Sequence, residues 1–135
     1  MKVVAYNIKE FEKEVLAIAN AKVHDLTLIS NPLNFSTMHY ANGKHAVIIS
    51  EDDRLDGDVL QALKAHGVTK IVTRSPKTSH IDLHEAELLG MQIANTPCTE
   101  CGPREVAEQA IRNLNLWKGD PADDPAISAI ITANP

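Results

Sequence analysis

Apolar residues along the chain fall into short dense runs separated by longer amphipathic stretches. The runs at 2–6, 26–29, 45–49, 68–72 and 91–94 are rich in Val, Ile and Leu and read as buried strands. Between them the apolar spacing lengthens to a helical period. Ile8, Phe11, Val15 and Ile18 recur three to four apart with Lys and Glu opposite, which predicts a helix behind Asn7 as its N-cap. Residues 31–34 carry turn chemistry around Pro32, and 37–40 allow one helical turn. Asp56 is placed to cap a helix with Val59, Leu60 and Leu63 on its apolar face and Gly67 as its stop. Ile81, Leu88 and Leu89 mark the apolar face of a third helix that Gly90 closes, and a fourth begins near Pro103. Strand and helix therefore alternate. The expected fold is α/β: a flavodoxin-like open parallel sheet of five strands, order 2-1-3-4-5, with helices on both faces.

One stretch resembles a known family. Arg74-Ser75, His80-Ile81-Asp82-Leu83, Leu89-Gly90-Met91, Asn95-Thr96-Pro97 and Val106-Ala107-Glu108 occur in order. Together they resemble the substrate-binding domain of the D-isomer-specific 2-hydroxyacid dehydrogenases, the D-lactate dehydrogenase type. The likeness runs back to Met1 and covers roughly the first 115 residues. Residues 1–116 are read as the domain. Residues 117–135 are read as a linker, G-D-P-A-D-D-P, followed by an apolar tail that packs on its own domain or on a second subunit.

The resemblance implies a site at the carboxyl ends of the strands, where open α/β sheets bind ligands. In the family, the loop after strand four offers backbone N–H groups to the substrate carboxylate. That loop corresponds here to Arg74, Ser75, Pro76, Lys77, Thr78 and Ser79. Lys77 stands where the family has a glycine, and Ser79 where it has Asp or Asn. Lys77 offers an anion a point charge. The loop after strand five departs further: P-C-T-E-C-G-P-R-E is two residues longer than the family pattern and lacks its tyrosine.

The family's other domain carries G-x-G-x-x-G, an acidic ribose ligand and the catalytic Arg, Glu and His. Glycines here stand only at 43, 57, 67, 90, 102 and 119, and no two are two apart. These residues therefore contain no phosphate-cradling turn of that type. Hydride transfer needs a cofactor held against the substrate and an acid–base group in reach. NAD is expected only where a partner supplies a nucleotide domain, and no catalytic residue is assigned on this chain.

Two spacings suggest other chemistry. Cys98 and Cys101 form a C-x-x-C, whose sulfurs reach one metal or each other. The helix opened by Gly102-Pro103 would lower the pKa of a neighbouring thiol. His80 and His84 are four apart, a spacing that puts both on one helix face. If the two loops converge, a Cys₂His₂ metal site results. Asp52 and Asp53 read as a solvated turn, and His24, His39, His45 and His66 as surface or strand-end residues.

Composition narrows the classes. The 135 residues are 44% hydrophobic with a net charge of −5, and the basic residues are not clustered. A nucleic-acid or membrane partner is not expected. The amino terminus enters a strand without a signal-peptide pattern, so the expected location is cytoplasmic and the cysteines are expected as thiols or ligands. Three readings follow. The first is a non-catalytic relative of the dehydrogenase substrate domain, holding a small carboxylate. The second is a thiol-redox or metal-binding protein built on Cys98 and Cys101. The third is a module that forms a homodimer or pairs with a complete dehydrogenase.

Overall fold

The computed structural model describes residues 1–98 and 100–117. Five parallel strands, β1 (Lys2–Ala5), β2 (Asp25–Leu28), β3 (Ala46–Ile49), β4 (Lys70–Thr73) and β5 (Gln92–Ala94), form one sheet of order 2-1-3-4-5. The expected sheet is therefore correct in strand number, direction and order. The boundaries move by one or two residues.

Alternation along each strand sends side chains to opposite faces. Val4, Val47, Ile49, Ile71 and Ile93 face one core, and Val3, Ala5, Ala46, Ile48, Val72 and Ala94 the other. The first face is covered by a 3-10 helix (Phe35–Ala41), α2 (Gly57–Ala65) and α3 (Leu83–Leu88). The second is covered by α1 (Glu10–Asn20) and α4 (Pro103–Trp117), which pack against each other. Burial on both faces explains why β3 and β4 are buried end to end, although Lys70 lies within β4.

Three helix details differ from the periodicity. Ile8 lies before α1, Lys9 takes the N-cap position, and Asn7 adopts φ 58°, a left-handed conformation that asparagine tolerates. The buried side of α1 is Leu16 and Asn20, while Phe11 and Ile18 are 62% and 69% exposed. The apolar positions of α1 are thus split between an inner face, where Val15 and Ala19 also pack on the core, and an outer stripe. Ile81 also precedes its helix. It forms an isolated parallel bridge with Leu55, and Asp82 caps α3 by accepting the N–H of Glu85 at 3.0 Å. Leu88 ends up exposed. Asp56 caps α2 as expected, accepting the N–H of Val59 at 3.1 Å. The linker and apolar tail, from residue 118 onward, lie outside the described residues. Among the described residues no helix is long and apolar enough to cross a membrane.

Candidate functional site

In a parallel sheet all strands exit at the same edge, so the loops after β1, β3, β4 and β5 become neighbours. Ile49 and Thr73 are register partners, and the N–H of Arg74 donates to the Ile49 carbonyl at 2.8 Å. The exits of β4 and β5 are tied three times: the Thr96 N–H donates to the Ser75 carbonyl at 3.0 Å, Thr96 Oγ1 to the Thr73 carbonyl at 3.2 Å, and Asn95 Nδ2 to the Pro76 carbonyl at 2.9 Å.

Arg74 is turned inward, and its side chain is only 4% exposed. Its Nε donates to Glu12 Oε2 at 2.9 Å, and its two terminal nitrogens to the carbonyls of Tyr6 and Asn7 at 3.1 and 3.0 Å. Glu12 in turn accepts the N–H of Lys9 at 2.8 Å. Arg74 braces the exit of β1, which corrects its assignment to the substrate. The same bonds bear on the nucleotide. A phosphate cradled at the β1–α1 turn would meet the Glu12 carboxylate already seated on the first amide, so this turn does not fit a dinucleotide.

Ser75 is fully buried. Its hydroxyl donates to Glu51 at 3.3 Å and accepts the Lys77 N–H at 3.0 Å, which fixes the turn. The side chains of Lys77 and Ser79 are exposed, and those of Pro76 and Thr78 are half-buried. The N–H groups of Thr78, Ser79 and His80 donate to no protein acceptor among the described residues. Beside them lies a cleft of about 200 Å³ lined by Arg54, Leu55, Asp56, Ser79, His80, Ile81 and Asp82. Asp56 and Asp82 are engaged as helix caps, while Arg54 is exposed. From the sequence, residues 50–54 belong to this edge as the loop after the third strand, but nothing in the local pattern gives Arg54 a role or ties it to the β4 loop; the Leu55–Ile81 bridge does.

His80 is nearly buried, and its Nε2 lies 2.9 Å from Thr73 Oγ1. Burial lowers its pKa below the usual histidine value, against the opposing pull of Glu51, Asp53 and Asp52; Arg54 adds to the lowering. His80 precedes α3 and His84 is exposed on it, so the two do not share a helix face. Cys98 and Cys101 are joined in a disulfide, with Cα atoms 5.8 Å apart. Two intervening residues and the turn into α4 bring them within bonding range. Among the described residues no group of three or more His, Cys, Asp or Glu could hold a metal ion. The proposed convergence of both pairs is thus corrected, as is the expectation of free thiols. The Gly102 N–H donates to Glu105 Oε1 at 3.1 Å, a negative charge that offsets the amide end of α4 beside Cys101.

Asp53 is the least expected member of this edge. It is 1% exposed rather than solvated. Its Oδ1 accepts the Leu33 N–H at 3.0 Å and Asn7 Nδ2 at 3.3 Å, and its Oδ2 accepts the Ser50 N–H at 2.9 Å. One carboxylate thereby pins three loops. His24 is also buried, with Nε2 2.7 Å from Asn115 Oδ1, where α4 meets the opposite edge of the sheet.

The sequence model for the D-isomer specific 2-hydroxyacid dehydrogenase catalytic domain matches residues 3–132. The chain is 36% identical over 116 residues to D-lactate dehydrogenase kk1H of Curvularia clavata and 34% over 112 residues to D-lactate dehydrogenase of Escherichia coli K12. Each match covers 82% of this chain and 33% of the relative. The apo-structure of D-lactate dehydrogenase from Escherichia coli superposes with a TM-score of 0.71 at 32% identity, over 74% of this chain and 32% of that one. The Salmonella D-lactate dehydrogenase gives 0.69 at 34% identity, over 73% and 30%. The chain spans about a third of the length of the curated relatives it matches.

Proposed function

The chain belongs to the D-isomer specific 2-hydroxyacid dehydrogenase family, as its catalytic-domain part, and from that premise we propose that it holds the carboxylate of a small 2-oxo or 2-hydroxy acid without itself transferring hydride. The carrying observation is the cleft lined by exposed Arg54 and by Ser79 and His80, whose amides, like that of the preceding Thr78, are uncommitted. Consecutive N–H groups make an anion-binding concavity, and a guanidinium supplies the matching charge. A volume of about 200 Å³ suits an acid of a few carbons. Lys77, exposed in the same loop, offers an anion a further positive charge.

The sequence holds no G-x-G-x-x-G, and among the described residues the β1–α1 turn already seats Glu12 on its first amide. NAD would accept or donate the hydride only where a partner supplies a nucleotide-binding part. This chain's own residues bind and orient the acid. Calorimetry with pyruvate tests this: one weak site is expected, and Arg54→Ala should weaken it about tenfold, the loss of one charge-assisted hydrogen bond. Absence of heat with pyruvate and D-lactate alike would reject the reading, as would NADH oxidation by this chain alone.

A second reading, self-association, is favoured by one observation. Phe11 and Ile18 lie seven apart on the outer stripe of α1, beside a groove of about 310 Å³ lined by Val15, Ile18, Ala19, Arg104 and Glu108. Native mass spectrometry should find a dimer that Phe11→Lys disperses. A monomer at tens of micromolar, of order the working range of such weak contacts, contradicts it.

A further inference from the structure

We propose that Cys98 and Cys101 form a reversible dithiol–disulfide site that exchanges with low-molecular-weight disulfides. This is independent of the carboxylate reading.

Three observations carry it. The two cysteines are the only ones among the 135 residues. They are bonded across a separation of three residues, in the loop between β5 and α4. Both are half-buried rather than enclosed, so an external sulfur can approach. The ring they close is very short. Chain-entropy stabilisation grows with loop length, so closing this ring restrains the unfolded chain little and folding adds little to the bond. A long structural cross-link would behave in the opposite way. The loop also has firm anchors on both sides. Thr96 is bonded to the β4 exit by its N–H and, through Oγ1, to the Thr73 carbonyl at 3.2 Å, while Gly102 is held by Glu105. The sulfurs therefore stay near each other when the bond is open, which favours closure over capture of two separate partners.

The exchange balances as follows. The thiolate of one cysteine attacks a sulfur of the external disulfide, forming a mixed disulfide and expelling one thiolate. The second cysteine thiolate attacks the sulfur of the first and expels the other. The cysteine pair loses two electrons and two protons, and both appear in the two released thiols.

The test is redox equilibration of the chain in glutathione buffers of graded poise, followed by acid quench, alkylation and intact-mass measurement. Both cysteines are expected to switch together between a doubly alkylated and an unalkylated form, with a single midpoint inside the buffer range, and to reverse on adding excess dithiothreitol. Cys98→Ser and Cys101→Ser, measured separately, should each trap one glutathione as a mixed disulfide. A pair that stays doubly alkylated in fully oxidised glutathione would overturn the proposal. So would a pair that stays bonded in excess dithiothreitol, stable two-glutathione adducts without ring closure, or failure of both serine variants to trap an adduct.

Discussion

Arg74 Nε and Glu12 Oε2 meet at 2.9 Å with both side chains largely withdrawn from water, 4% and 16% exposed. The pair joins the exit of β4 to the first turn of α1 across 62 residues of sequence. A buried pair contributes little net stability, but removing one partner strands the other charge. Arg74→Ala and Glu12→Ala should each destabilise the fold by about 3 kcal/mol or more. The double variant should cost much less than their sum. Urea unfolding of the four proteins measures the cycle, and additive losses would mean that the pair is not coupled.

Asp53 should be nearly as costly to remove. Asp53→Ala leaves the N–H groups of Leu33 and Ser50 without their acceptor, while Asn7 Nδ2 keeps only Ser50 Oγ at 3.2 Å, a loss of about 3 kcal/mol. Asp52→Ala, on the exposed neighbour, should change stability by less than about 0.5 kcal/mol. Equal effects at the two positions would contradict the assignment.

His80 gives the fold an acid-side dependence. Its folded pKa is lowered by burial, so at mildly acidic pH the unfolded chain binds the proton more readily than the folded one. Stability from this group is full above the unfolded value of about 6.5 and falls as pH drops through the lower folded value. Thermal melting from neutral to mildly acidic pH should show the decline, and His80→Gln should flatten it. An unchanged slope would assign the decline to other groups.

Tyr6 works in the alkaline direction. Its hydroxyl donates to the Thr37 carbonyl at 2.8 Å, and burial, followed by Asp53 and then Tyr40, pushes its pKa up to about 12. A raised folded pKa means stability that is complete below the unfolded value near 10 and is lost as pH rises toward 12. In a Tyr40→Phe variant, tyrosinate absorbance should appear only near pH 12 or together with unfolding. Ionisation near 10 with the fold intact would refute the buried placement.

The sheet was legible in the sequence because each strand is a short apolar run bounded by turn residues, and Asp56 and Gly67 mark the ends of α2 by local chemistry alone. The blocks at 74–75, 80–83, 89–91, 95–97 and 106–108 pointed to the family that the residue 3–132 match then established. Less legible was anything decided across strands. Arg74 and Asp53 look like ordinary loop charges until the parallel register brings the exits of β1, β3 and β4 together. Arg54 reaches the candidate cleft only through the Leu55–Ile81 bridge. His80 and His84 had helical spacing, but α3 begins at Leu83, after His80 has turned toward Thr73. Phe11 and Ile18 kept the helical period, but the face of α1 that meets the sheet is that of Leu16 and Asn20.

The central claim, a carboxylate held at the β4 loop, is tested most directly by amide NMR of the nitrogen-15-labelled chain titrated with pyruvate. The account predicts saturable shifts at Thr78, Ser79 and His80 and at the Arg54 side chain, with little change along α1. Unmoved amides at 78–80, or shifts confined to other parts of the sheet, would contradict it.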